Sequence, residues 1–165
     1  MNPVVKSWPA LVVGVVLSAW LAGCGNSEPA GGGGEAGHGH QPKNGGYLVE
    51  VGRHEFNLEV LRDPAAGRLT VWLLDAHAEN YVRSGAAQLD LEITAGGTTR
   101  NLPLAAVASA ATGEKVGDTS QFEGVAEWLR GTSPLTVRLP RLSLRGKTFD
   151  GLSFAVPPRE GTSHP

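Results

Sequence analysis

The residues of this chain best suited to bind a metal ion are histidines. The chain has five of them, and four lie between positions 38 and 77. Neutral imidazole is a good ligand for Zn(II) and Cu(II), and His38-Gly39-His40 places two imidazoles close together. His54 begins the second predicted strand and His77 follows the third, so antiparallel pairing is expected to bring both to one end of the sheet. The candidate metal ligands are His38, His40, His54, His77 and Asp75.

The geometry of this candidate site depends on the register between the second and third strands. If Arg62 pairs with Gly67, His54 lies opposite Asp75 and on the same face as His77. A change of one residue in the turn would move Asp75 and His77 to the other face. The alternative interpretation is that these histidines are ordinary hydrogen-bonded residues at strand ends and in a polar linker.

The linker before the sheet is expected to supply the ligands His38 and His40 at the end of the sheet where it enters. Fixing a flexible chain costs roughly 1–2 kcal/mol per residue. We therefore expect a metal affinity that is modest and that falls as imidazole becomes protonated, below about pH 6.5.

The N-terminus indicates delivery to a membrane. Residues 1–23 have the charged start, the apolar segment Ala10–Leu21 and the small residues of a secretory signal peptide. The only cysteine, Cys24, follows Leu21-Ala22-Gly23, which resembles a bacterial lipobox. That resemblance implies lipidation of Cys24, which anchors the chain to a membrane through several acyl chains. Gly25-Asn26 after the cysteine favours the periplasmic leaflet of the outer membrane over the inner membrane.

The remaining chain divides into a linker, a domain and a tail. Residues 24–46 are rich in glycine and lack periodicity, which predicts a flexible linker. Residues 47–157 contain eight or nine short segments of strand character, including Arg68 to Asp75, which predicts an all-β fold, an antiparallel Ig-like β-sandwich. A small barrel is the alternative. Residues 158–165 are predicted to be disordered.

Two local patterns give more detailed predictions. Gly52-Arg53 fits a two-residue turn, which pairs Val51 with His54. Ser120 and Glu123 resemble a capping box before an apolar stripe, which predicts one helix over 120–130 at an open end of the sandwich.

Several function classes are not expected. The net charge is only -2, which argues against a nucleic-acid partner. The chain has no nucleophile elbow, P-loop, dinucleotide fingerprint, HExxH or CxxC pattern, so an enzyme is not predicted.

Part of the sequence resembles a known group of proteins. His38-Gly39-His40, Asn44-Gly45-Gly46, the segment HEFNLEV and the later SQFEG and GKTFDGL resemble small bacterial lipoproteins. Residues 45–77 are also similar to the HGG-type segment in periplasmic adaptors of heavy-metal efflux pumps. The resemblance implies a periplasmic β-domain involved in metal handling. The chain departs from the pattern at Asn44, where histidine is usual, and at the single His164, where the tail usually has a cluster.

Two functional hypotheses follow from these patterns. The first is a lipid-anchored domain that binds Cu or Zn, with an efflux or envelope protein as partner. The second is a non-catalytic docking module of the cell envelope without a metal role. Clustered histidines would favour the first, and an exposed apolar patch or free strand edge with scattered histidines would favour the second.

Replacement of Cys24 tests the anchor. Cys24→Ser is expected to release the protein from the membrane fraction of a Gram-negative host, because the serine hydroxyl does not replace the thiol in lipid transfer. Fractionation with mass spectrometry of the N-terminal peptide measures this, and Ser27→Ala serves as a control that should stay anchored. A Cys24→Ser protein that stays membrane-bound and lipidated would contradict the assignment.

Overall fold

The computed structural model describes residues 40–131 and 133–157. The predicted signal peptide, Cys24, His38, His164 and the predicted tail lie outside the described residues. Every strand pairing is antiparallel, so the predicted all-β class is confirmed. The strands are β1 (Tyr47–Val51), β2 (Phe56–Asp63), β3 (Arg68–Asp75), β4 (Gln88–Ala95), β5 (Thr98–Ala106), β6 (Gln121–Val125), β7 (Leu135–Leu144) and β8 (Lys147–Val156).

The eight strands form one sheet in the order β1-β2-β3-β6-β5-β4-β7-β8. The sheet is nearly closed, because its two ends meet beside the β1–β2 loop. There the rings of Phe56 and Phe149 pack edge to face at 5.9 Å between centroids. Beside them, Glu55 forms an ion pair with Lys147. The inward side chains fill one core, which includes Leu58, Val60, Leu69, Val71, Leu73, Leu91, Ile93, Leu104, Phe122, Leu135, Val137, Leu139 and Leu142.

The first hairpin corrects the predicted turn. Val51 pairs with Phe56, not with His54, so a four-residue loop replaces the two-residue turn. His54 lies in that loop and not at the start of β2. The shift is two residues, an even number, so it leaves the predicted inward and outward faces unchanged.

The second hairpin keeps a four-residue turn as predicted, but the turn lies one residue later in the chain. Asp63 pairs with Arg68, so Arg62 does not pair with Gly67. Phe56, and not His54, therefore lies opposite Asp75. Continuing this register two residues beyond both strands brings His54 level with His77.

The predicted helix over 120–130 is wrong. Residues 121–125 form strand β6, which uses the free edge of β3. The capping box does not form, because the Ser120 hydroxyl donates to Glu114 Oε1 at 2.7 Å and Glu123 lies opposite Thr70. Only Glu127–Arg130 is helical, as one 3₁₀ turn. In the described part of the chain, no helix is long and apolar enough to cross a membrane.

The other strand predictions differ mainly at their ends. β3 has its predicted bounds, and the glycine turn between β4 and β5 forms as expected. The last four predicted strand segments merge into two long strands, β7 and β8, joined at Arg145-Gly146.

Gly124 in β6 tests the packing of this sheet. A Cβ at this position would lie 2.6 Å from Leu104 Cδ2 and 2.8 Å from the Pro103 carbonyl oxygen. Gly124→Ala is therefore expected to lower the free energy of unfolding by about 1–3 kcal/mol in urea denaturation.

Gly85→Ala provides the matched control for that substitution. Its Cβ would have only the Gly117 carbonyl oxygen nearby, at 3.7 Å. We expect no loss of stability, since an added methyl group without strain restricts the unfolded chain. Equal effects of the two substitutions would contradict the packing argument.

Candidate metal centre

His54 is held by a carboxylate in the β1–β2 loop. Its backbone adopts the left-handed region with φ of 60°. Glu50 Oε1 accepts the His54 backbone N–H at 2.9 Å, and Glu50 Oε2 lies 3.1 Å from Nδ1 of the ring. The side-chain hydrogen bond from His54 holds the pKa of Glu50 below its usual value. Burial acts in the opposite direction, but its effect is smaller. His54 Nδ1–H therefore donates its hydrogen bond to Glu50, and the lone pair on Nε2 of the neutral ring is available to a ligand.

His77 is presented by a turn that Asp75 organises. Asp75 Oδ1 accepts the Glu79 backbone N–H at 2.9 Å, and Oδ2 accepts the Asn80 amide at 2.7 Å. Partial burial opposes ionisation of Asp75, but these hydrogen bonds and one from the His77 backbone outweigh it and lower its pKa. The buried Asn57 side chain fixes the same turn by donating to the carbonyl groups of Asp75 and Ala76. Asp75 therefore positions His77 and does not belong to the group of converging ligand atoms.

His40 reaches the cluster by an unexpected path. Tyr47 pairs with Val60, so the linker joins β1 at the end of the sheet away from His54. The expectation that it enters beside His54 is wrong. His40 Nε2 nevertheless lies 3.2 Å from His54 Nε2. The chain therefore turns back across the outer face of β2. It covers a distance of roughly 16 Å along that strand, the length of about five strand residues at about 3.3 Å each.

The carboxylate of Glu59 holds this returning segment. Glu59 lies on the outer face of β2, yet it is 0% exposed. Its two oxygens accept the backbone N–H groups of Lys43 at 2.9 Å, Asn44 at 2.6 Å and Gly46 at 2.9 Å. They also accept the Asn44 side-chain amide at 2.9 Å. Successive N–H groups that converge on one anion form a stable nest, so Glu59 fixes the reversal.

The glycines before β1 permit the reversal. Gly45 has φ of 74°, which only glycine adopts readily. A Cβ on Gly46 would lie 2.6 Å from the Val60 carbonyl oxygen, so the backbone must approach β2 without a side chain. The Asn44 side-chain oxygen Oδ1 also accepts the Tyr81 hydroxyl at 3.1 Å, which attaches the segment to the loop after β3.

Three imidazoles thus converge from three separate segments. His40, His54 and His77 each offer one ring nitrogen, and these atoms lie within 4.8 Å of one another. The ring centroids of His40 lie 5.3 Å from His54 and 5.5 Å from His77. His40 is half-buried, and the other two histidines are exposed. The structure brings together three of the five predicted ligands.

The spacing of the first pair suits a tetrahedral ion. With Zn–N bonds of about 2.0–2.1 Å, two nitrogens of a tetrahedral site lie about 3.3 Å apart. The observed Nε2–Nε2 distance between His40 and His54 is 3.2 Å. His77 lies in an exposed turn, and a movement of about 1.5 Å at most would bring its nitrogen to the same spacing. The arrangement can therefore hold one divalent cation through three imidazoles, with a fourth position open.

Sequence reasoning did not identify Glu50 or Glu59 as residues that position the site. Both residues occupy polar positions in a strand with alternating apolar and polar residues, and such positions normally face the solvent. The signal for Glu59 was the pair Gly45-Gly46 before β1, because adjacent glycines allow a backbone to approach a strand closely.

Glu59→Ala tests whether this carboxylate holds the segment. The substitution leaves three backbone N–H groups without their acceptor, so the free energy of unfolding is expected to fall by about 1–3 kcal/mol. The Lys43, Asn44 and Gly46 amides should lose protection from hydrogen exchange, measured by NMR together with urea unfolding. Glu127→Ala, whose carboxylate is exposed, is the control. Unchanged protection in Glu59→Ala would contradict this account.

Comparisons with known proteins assign no family to the chain. A scan against models of protein families finds no match, and searches of curated proteins and of solved structures find none either. The chemistry of the histidine cluster therefore carries the functional conclusion.

Proposed function

We propose that this chain is a lipid-anchored protein of the bacterial cell envelope that binds a divalent transition-metal ion, Zn(II) or Cu(II), through His40, His54 and His77. One observation carries the proposal: three imidazoles from distant parts of the chain have ligand atoms within 4.8 Å of one another. The anchor rests on Cys24 and the segment before it. No role as an enzyme is proposed.

The hydrogen bonding around His54 supports metal binding. A metal-binding histidine usually donates its second ring N–H to a carboxylate or carbonyl group, which fixes the ring and strengthens the ligand. Glu50 provides that acceptor at 3.1 Å from His54 Nδ1. A neutral His54 with its proton on Nδ1 accepts a hydrogen bond at Nε2 from the Nε2–H tautomer of His40. A metal ion takes the place of that shared proton, so binding releases a proton or shifts His40 to its other tautomer.

The ligand set favours Zn(II) over Cu(II). Three imidazoles satisfy either ion, and the group includes no thiolate to favour Cu(I). The distance of 3.2 Å between His40 Nε2 and His54 Nε2 is compatible with the spacing of about 3.3 Å in a tetrahedral site, the geometry that Zn(II) adopts with imidazole ligands. The exposure of His54 and His77 leaves the fourth position accessible to water or to a ligand from a partner, which suits exchange of the ion with another protein.

The alternative function, a docking module without metal, has one structural feature in its favour. β1 and β8 are the two ends of the sheet order, so each has a free edge over part of its length. The histidines are clustered and not scattered, however, and that arrangement supports the metal proposal.

Isothermal titration calorimetry of the full chain in detergent tests the metal site. We expect binding of one Zn(II) per chain at pH 7.5 and much weaker binding at pH 5.5, because protons compete for imidazole. His77→Ala and His54→Asn should each reduce affinity by at least about tenfold through loss of a ligand. Asparagine is preferred at position 54 because it tolerates positive φ better than alanine. Glu50→Gln should reduce affinity by about 10–100-fold, as loss of such a positioning partner does elsewhere.

Arg53→Ala is the control for the titration, because Arg53 is exposed in the same loop but supplies no ligand. It should bind the ion like the unmodified protein. Absence of heat at pH 7.5, or binding that is unaffected by His77→Ala and His54→Asn, would exclude this site.

A further inference from the structure

A cavity of about 210 Å³ lies on the outer face of the sheet, on the side of the returning segment that carries Asn44. Trp72 of β3 and Tyr81 of the following loop are its aromatic residues. Trp72 lies opposite Gln121 in the β3–β6 pairing, and both side chains point outward beside the cavity. Glu114 borders the cavity from the loop before β6.

Several polar groups around this cavity are free to bind a ligand. Glu114 Oε1 accepts the Ser120 hydroxyl at 2.7 Å. Within residues 40–131 and 133–157, Glu114 Oε2, the Gln121 carboxamide and the Trp72 indole N–H have no hydrogen-bond partner. The Glu114 side chain is only 8% exposed, and its free oxygen lies at the part that still reaches solvent, because no buried side-chain oxygen of the described residues lacks a partner. The cavity therefore combines aromatic surface with unpaired donors and acceptors, the composition of a small-molecule site.

The charges around the cavity disfavour the simpler ionic ligands. A cation is disfavoured because Lys43 Nζ already lies 5.4 Å from the Tyr81 ring centroid and Arg83 lies 3.7 Å from Glu114. An anion is disfavoured by the free oxygen of Glu114. A neutral molecule with many hydroxyl groups fits both conditions, since a hydroxyl group donates to Glu114 and accepts from Trp72 or Gln121.

We propose that this cavity binds a neutral sugar ring, with one face against Trp72 or Tyr81 and its hydroxyl groups paired with Glu114 and Gln121. The volume of about 210 Å³ lies below the roughly 300–1,000 Å³ of sites for drug-sized ligands, which suits a single pyranose ring. A larger cavity of about 340 Å³ near Gln88 and Arg141 has no aromatic lining and lacks the surface for stacking. The proposal does not depend on the metal centre.

NMR of the full chain labelled with ¹⁵N-tryptophan, in detergent and with EDTA present, tests the sugar site. The probes are N-acetylglucosamine and its β-1,4-linked tetramer. Both should shift the indole signal of Trp72, identified by its loss in Trp72→Phe, with a dissociation constant on the order of millimolar for the single sugar. The Trp128 signal is the internal control, because that ring packs near Arg100 and does not line the cavity. Tighter binding of the tetramer would indicate a polysaccharide chain, and equal binding would indicate a free sugar.

Matched variants make the test specific. Glu114→Gln keeps the size of the side chain and should weaken sugar binding by at least about fivefold, because a hydrogen bond to a charged acceptor is lost. Glu123→Gln, an outward residue of β6 that does not line the cavity, should have no effect. Absence of a Trp72 shift, an equal shift of Trp128, equal effects of the two variants, or a Trp72 shift with choline but not with sugar would each overturn the proposal.

Discussion

The buried carboxylate of Glu59 is the interaction on which the arrangement of the histidines depends. Burial of an isolated carboxylate costs several kcal/mol, and here the cost is offset by three backbone N–H groups and one side-chain amide. Because all of these donors belong to Lys43, Asn44 and Gly46, the Glu59 carboxylate is paired in this way only when the chain turns back over β2. An apolar residue at this position would be easier to bury but would not define where the preceding segment lies. Glu59 thus defines the path of the preceding segment, and that path leads to His40.

The other two histidines are placed by the same principle on a smaller scale. In each case, hydrogen bonds to a carboxylate nearby in the sequence fix the backbone of a turn. Glu50 holds His54 through both its backbone and its ring, and Asp75 holds the turn that carries His77. These acidic residues at strand ends act as local supports, and the imidazoles are the groups they present. The strong tertiary contacts of the sheet supply the frame, and three carboxylates set the geometry of the centre.

The parts of the fold that follow from local periodicity could be predicted, and the parts that depend on loop length or distant partners could not. β3 was predicted to the residue because bulky side chains fill both of its faces. The β1–β2 and β2–β3 registers were each wrong by two residues, since alternation fixes the face of each residue but neither the length of a turn nor the residue at which it begins. The 121–125 segment fits a helix by its caps, but it forms β6 because β3 offers a free edge and Gly124 fits against Leu104. The role of Glu59 was missed because the alternation of apolar and polar residues in a strand predicts that every outward carboxylate is exposed to solvent.

The convergence of His40, His54 and His77 changes the expected energetics of metal binding. A flexible linker would have to be ordered when the ion binds, at a cost for each residue fixed. The bonds from Lys43, Asn44 and Gly46 to Glu59 instead fix most of the path to His40 during folding. The entropy cost therefore belongs to the stability of the domain and not to the affinity of the site, which is the advantage of preorganisation. By the same coupling, an ion bound to all three histidines would stabilise the reversal of the linker as well as the two loops. The position of the linker on the domain and the occupancy of the metal centre are thus linked through one segment of seven residues, His40 to Gly46.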